Sequence, residues 1–263
     1  MNEQLAKLNL PRLKIPRLLA SSFENGKEAF ITENLILLGY KPCDVSKGLD
    51  FNHANLAMQE LGRFHASSLI FQDSLYPKTF PECFEIFKEL SVDFDSESFK
   101  KLDVQITSKV EGAIQILKRI PNYEKCVKWL QKNIHSVTRY FLKGLLIPSN
   151  DFNVISHGDF TIINMLFRYN ENEVPVDVKL LDLQLARVSS PASDICYFFF
   201  TSLEDVRSTN LESMLSLYYK SFSEVLHLKG KKVPFTFEKL QEHFVESSIF
   251  GIIKALLFCH QWQ

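Results

Sequence analysis

The stretch that most constrains this chain is His157-Gly158-Asp159-Phe160-Thr161-Ile162-Ile163-Asn164, followed by Asp182 inside Val178-Lys179-Leu180-Leu181-Asp182-Leu183-Gln184. It sets an Asp in a turn, an Asn five residues on, and a second Asp eighteen residues after that. Val154-Ile155-Ser156 reads as a short strand entering the turn. Residues 164–169 read as a strand leaving it, and 178–183 as that strand's hairpin partner, because 169–177 is polar and contains a proline. Such a hairpin brings Asn164 and Asp182 side by side at the end where Asp159 lies. Three oxygen-bearing side chains then converge beside an imidazole and a glycine.

This donor set suits phosphoryl transfer, which needs positioning and charge neutralisation around nucleotide phosphates more than covalent help. Magnesium takes oxygen ligands, usually one or two carboxylates plus substrate phosphate; Asn164 and Asp182 fit that role. Asp159 remains free to take the proton from, or orient, an attacking hydroxyl. Gly158 permits a loop conformation that a side chain resists. A metal-dependent phosphohydrolase with Asp159 as nucleophile is a weaker reading, since such sites want an Asp-x-Asp pair and this stretch has none.

The spacing Asp-x4-Asn followed by a strand-borne Asp resembles the catalytic loop and metal Asp of kinases. With His-Gly-Asp for His-Arg-Asp and Asp-Leu-Gln for Asp-Phe-Gly, it resembles the small-molecule branch, the aminoglycoside phosphotransferases and choline kinases. HGDFTIINMLF and KLLDLQLARVSSPASDICYFFFTS most closely resemble the insect ecdysteroid kinase-like family. The resemblance implies a protein kinase-like α+β fold of the aminoglycoside phosphotransferase type, with ATP and Mg as cofactors and a steroid-like alcohol as partner. It divides the chain into residues 1–35, a remnant of the small lobe with its hinge, and 36–263, a mostly helical large lobe with catalytic loop and metal-binding hairpin. Glu33, Asn34 and Leu35 then form the hinge whose backbone meets the adenine ring; the plainer reading is a strand end that carries a charge.

The 263 residues suffice for one large domain or two modest ones, and 46% hydrophobic content argues for a sizeable core. A formal charge of -1 advertises neither nucleic acid nor an anionic membrane as partner. Cys43, Cys83, Cys126, Cys196 and Cys259 are dispersed with no CxxC pair, which reads as reduced thiols in the cytoplasm. No secretory signal opens the sequence, and its apolar runs fall short of the ~20 residues of a membrane span. The 23 phenylalanines suit a core, or a pocket for a bulky apolar substrate.

Helices are expected over 52–70 (with Asn52 as cap), 81–90, 96–120, 122–146, 192–203, from a Thr209-Asn210 cap to 228, and over 237–258 behind Thr236. Residues 1–10 read as the end of a helix, and 17–22 with 28–32 as strands around an Asn25-Gly26 turn. His65 lies on an apolar stripe and reads as a hydrogen-bonded core residue. His157 reads as a bond to the loop backbone and Asp194 as a carboxylate holding the catalytic loop from a helix start. Arg187 is either a phosphate contact or a surface residue. No glycine-rich loop precedes the hinge, and Lys14 and Lys27 sit on the wrong side of the opening helix to serve as the kinase strand Lys. The chain is therefore expected to begin inside the small lobe of a longer relative. An active ATP-dependent phosphotransferase and a catalytically weak binding module both remain open.

Overall fold

The computed structural model describes residues 1–87, 93–146, 152–203 and 207–258. The chain is α+β. It opens with α1 (Asn2–Lys7), the hairpin β1 (Leu18–Ser22) and β2 (Ala29–Thr32), and β3 (Tyr40–Lys41). The helices α2 (Phe51–Asp73), α3 (Phe80–Cys83), α4 (Glu97–Leu117), α5 (Glu124–Asn133) and α6 (Val137–Leu146) follow. The strands β4 (Val154–Ser156), β5 (Met165–Tyr169), β6 (Pro175–Leu180) and β7 (Arg187–Ser189) precede α7 (Pro191–Thr201), α8 (Arg207–His227) and α9 (Phe237–Phe258).

Local chemistry sets most of these ends. The Asp50 carboxylate, not Asn52, caps α2, accepting from His53 N at 3.0 Å. Ser96 caps α4 through Phe99 N, and Thr236 caps α9 through Lys239 N. The expected helix over 122–146 is broken: a 3-10 turn, Ile134–Ser136, separates α5 from α6. The expected helix over 81–90 is α3 plus a 3-10 turn, Glu85–Phe87, and residues 88–90 lie outside the described residues. Cys259 and the rest of 259–263 lie outside them too.

The hairpin expected after the catalytic turn is present, with Met165 opposite Leu180 and Phe167 opposite Val178. It begins earlier than expected, at Pro175, and ends at Leu180, so Asp182 lies beyond the strand. Two strands were not foreseen. β3 adds to β5, giving the order β3-β5-β6, and β7 pairs antiparallel with β4. Both are too short, at two and three residues, to show alternation.

Two buried clusters hold the molecule. The larger gathers Leu5, Phe64, Phe160, Phe167, Phe198, Tyr218 and Phe222 from α1, α2, the strands, α7 and α8. The smaller packs α4, α5 and α6 against α7 and α9 through Val110, Leu130, Phe141, Tyr197 and Phe250. Helix α7 belongs to both and is buried from Pro191 to Phe199, as a helix apolar on every side must be. By contrast, the β1–β2 hairpin and the turn after it leave Phe23, Phe30 and Leu37 exposed.

α2 and α8 meet closely at Gly62, where a Cβ would lie 2.5 Å from Tyr218 O and 3.1 Å from Phe222 N. Gly62→Ala is expected to cost about 1–3 kcal/mol. It should appear as a lower urea midpoint at unchanged slope; an unshifted midpoint would show that the helices approach less tightly.

Candidate active site

The catalytic turn leaves β4 and is held from behind by one carboxylate. Asp194, in the first turn of α7 and 2% exposed, accepts from His157 N at 2.6 Å, Gly158 N at 2.9 Å and His65 Nε2 at 3.0 Å. The other nitrogen of His65 meets Tyr218 Oη at 2.8 Å. Burial pushes the Asp194 carboxyl up, but His65 and the two backbone donors outweigh it and hold the group ionised, below its ordinary range. Asp194 thus holds the loop through both of its oxygens. His65 is the buried, hydrogen-bonded residue its position on the stripe suggests.

His157 is fully buried, and Asp159 N approaches its Nδ1 at 3.3 Å. That places the ring proton on Nε2, which has no hydrogen-bond partner among the described residues although the Leu181 carbonyl lies close enough to act on it. Burial lowers the His157 pKa against the opposing pull of Asp194 and Asp159, so the ring stays neutral and serves the loop backbone.

Asp159 and Asn164 are in contact. The Asn164 amide donates to Asp159 O at 2.9 Å and to Asp159 Oδ2 at 2.8 Å. The Asn164 backbone carbonyl accepts from Leu181 N at 2.9 Å, which ties the residue before Asp182 to Asn164. Asp182 is exposed and not in a buried strand as expected, because β6 stops at Leu180 and the chain turns outward. It adopts φ 58° and ψ 69°, the left-handed region that a short polar side chain tolerates, and Gln184 Nε2 donates to its Oδ2 at 3.1 Å.

The donors present fit a magnesium ion. With its amide nitrogen spent on Asp159, Asn164 has Oδ1 free of hydrogen bonds among the described residues, and Asp182 offers an outward carboxylate. No group of three or more His, Cys, Asp or Glu is placed to hold a metal among the described residues.

Gly158 brings the two turns together. Its φ is +82°, and a Cβ there would lie 2.0 Å from Leu185 O and 3.0 Å from Arg187 Nη1. Arg187 bridges the same gap, donating to Leu185 O at 3.0 Å and to Gly158 O at 3.4 Å. It is neither a free surface residue nor aimed at solvent. Its role in tying the turns rests on the unforeseen β7.

The segment expected to serve as the hinge is tied to β6. Lys179 Nζ reaches Glu33 Oε1 at 3.1 Å, and Leu180 N donates to Lys14 O at 2.8 Å. Asn34 Oδ1 accepts from Ile36 N and Leu37 N, closing the turn. Glu33 O and Leu35 N carry no hydrogen bond among the described residues, so one acceptor and one donor remain available. Lys179 precedes Asp182 by three residues, two of them beyond the end of β6. Lys14 pairs with Asp177 at 2.5 Å and Lys27 with Glu24 at 2.6 Å, so both are engaged away from Asn164 and Asp182.

The order of catalytic turn, Asn, hairpin and metal turn is that of a kinase. Residues 2–230 match the model of the ecdysteroid kinase-like family. The chain belongs to the ecdysteroid kinase-like family. This membership places it among kinase-like proteins of the small-molecule phosphotransferase class. No curated protein matches it. Solved structures similar to this family member include a choline kinase from Cryptosporidium parvum Iowa II, at 14% identity over 98% of this chain and 68% of that one, with a TM-score of 0.49. An ADP-bound aminoglycoside phosphotransferase shares 14% identity over 99% and 73%, at a TM-score of 0.36. A Plasmodium vivax ethanolamine kinase shares 13% over 97% and 72%, at 0.38. No helix among the described residues is long and apolar enough to cross a membrane.

One buried lysine escaped notice in the sequence. Lys254 of α9 is 3% exposed, with its ammonium 4.2 Å from the Tyr197 ring centroid. Burial lowers its pKa to about 8, opposed by Asp159 and Asp194 and reinforced by Arg187. Its visible signal was a lone cation inside the apolar run 249–258.

Two outcomes follow. Asp194→Ala leaves His157 N, Gly158 N and His65 without their acceptor. It is expected to cost about 3–5 kcal/mol in urea unfolding; a loss under about 1 kcal/mol would refute the anchoring role. For Lys254, a pKa of about 8 against the ordinary 10.5 means that the folded chain binds fewer protons than the unfolded one between those values, so its share of stability rises with pH across that window. Lys254→Met is therefore expected to stabilise the protein near pH 7 by on the order of a few kcal/mol, with the gain shrinking as pH climbs through the window. A gain independent of pH would refute this.

Proposed function

We propose that this chain transfers the γ-phosphoryl group of ATP to a hydroxyl of a small, steroid-like alcohol such as an ecdysteroid. The observation that carries the reading is the Asn164 side chain. Its amide nitrogen donates to Asp159, its side-chain oxygen has no hydrogen bond among the described residues, and its backbone carbonyl binds Leu181 N, next to Asp182.

Asp159 accepts the proton as the acceptor hydroxyl attacks, a contribution of typically ~100- to 10,000-fold. Asn164 and Asp182 would hold Mg, which would supply charge neutralisation at the nucleotide phosphates. Glu33 O and Leu35 N meet the adenine edge, and Asn34 shapes the turn that presents them. Lys179 joins this hinge to β6, so base recognition and the metal turn share one strand. The engagement of Lys14 and Lys27 with acidic partners elsewhere favours a second reading, a nucleotide-binding protein of low turnover, because neither supplies a phosphate-binding lysine.

Transfer from γ-labelled ATP to a panel of steroid alcohols decides between them. Asp159→Asn is expected to cut turnover at least about 100-fold while ATP still binds. Asp182→Asn is expected to raise the magnesium concentration needed for half-maximal ATP binding. Turnover by the wild type that survives Asp159→Asn would overturn the assignment of the base. ATP binding without measurable transfer by the wild type would favour the second reading.

A further inference from the structure

A cavity of about 670 Å³ lies between the C-terminal end of α2, the start of α3 and the loop that joins α8 to α9. Its volume falls inside the roughly 300–1,000 Å³ of small-molecule sites. Leu69, Phe80, Val188 and Leu226 line it, and Phe80 and Leu226 are almost fully buried. This wall is preformed. The Phe80 ring packs on Phe71 and Phe87 at centroid distances of 5.7 and 5.6 Å. The Thr79 backbone N–H donates to Glu82 Oε2 at 2.7 Å, which fixes where α3 begins. Val188 pairs with Ile155, whose N–H donates at 3.0 Å to Ser68 Oγ, the neighbour of Leu69.

The cavity is separate from the catalytic turn. None of Asp159, Asn164 and Asp182 lines it. Asn153, which does, precedes β4, whereas the catalytic turn leaves the other end of that strand. The charge at its edge is positive. Lys231, Lys232 and Asp73 belong to the lining, and Asp73 is its one acid among the described residues. Asp73 is taken up by an ion pair with Lys231. Lys232 is exposed and has no ion pair among the described residues. One ammonium is therefore left to answer an anion beside an apolar wall. A wholly apolar ligand would leave it unanswered, and a cationic one would meet it as a like charge.

We propose that this cavity is a binding site for a small amphiphile with one anionic head, its apolar body against Leu69, Phe80, Val188 and Leu226 and its head at Lys232. Burial of the body supplies most of the affinity, and the ammonium selects the head, since one exposed ion pair adds little. A carboxylate and a phosphate monoester share this chemistry. The assignment stands whether or not the chain transfers phosphate.

The probes are octanoate, n-octyl phosphate and 1-octanol, each below its aggregation limit and titrated calorimetrically into the full chain without ATP or magnesium. Both anions are expected to bind about three- to fivefold more tightly than octanol, the range of one exposed charge pair. The tighter of the two identifies the head as carboxylate or phosphate. Gln72→Trp, which brings an indole into the cavity from a half-buried position on α2, is expected to abolish binding of all three. Lys232→Glu is expected to bring the anions down to the affinity of octanol or below. Asp159→Asn is expected to leave all three unchanged, which separates this cavity from the catalytic turn. Melting curves establish that each variant is folded; should Gln72→Trp not be, Gln72→Glu is expected to weaken the anions alone. Anions that bind no better than octanol, binding that survives both the Gln72 and the Lys232 substitutions, binding lost in Asp159→Asn, or no binding at all would each overturn the proposal.

Discussion

A single buried carboxylate organises the site. Removing Asp194 from water is costly unless its charge is met by well-placed donors, and the fold supplies three of them at 2.6, 2.9 and 3.0 Å. Two are the backbone N–H groups of the catalytic turn, so the satisfaction of this charge and the shape of the turn are one condition. The third, His65, is itself held by Tyr218. Helices α2, α7 and α8 therefore meet the loop through one polar chain inside the larger core. A turn exposed to water would sample many conformations; this one is ordered by the penalty for leaving Asp194 unpaired.

How much of this could be read from the sequence depended on the range of the interaction. The catalytic turn, the hairpin and helices such as α2 and α9 announce themselves through residues close in the chain: Asn25-Gly26, the apolar stripe of α2, the Thr236 cap. The pairing of Asn164 with Asp159 is also local, five residues apart. Strands β3 and β7 carry no such signature, because two or three residues cannot display a period and their pairing is decided by partners far along the chain. The same holds for Arg187, whose carbonyl partners were unguessable without β7. The outward turn of Asp182 was missed because Leu180-Leu181 suggested a longer strand, whereas β6 ends at Leu180.

Lys254 shows a different limit. A solitary lysine in an apolar helix is visible in a sequence, but its meaning lies in what the opposite helix presents. Here that is Tyr197 from α7, with Phe141 from α6 nearby. A lysine kept in surroundings that lower its pKa to about 8 opposes folding at neutral pH. Positions that give up stability in this way tend to be retained for function. The neighbouring helices are otherwise packed with phenylalanine and aliphatic side chains that any globular core could use.

Gly158 has a mechanical implication. With Leu185 O standing where a Cβ would be, and Arg187 bridging the two loops, no slack separates the turn that carries Asp159 from the turn that follows Asp182. A displacement of either turn therefore has to be shared by the other, and the two keep their relative position as a unit.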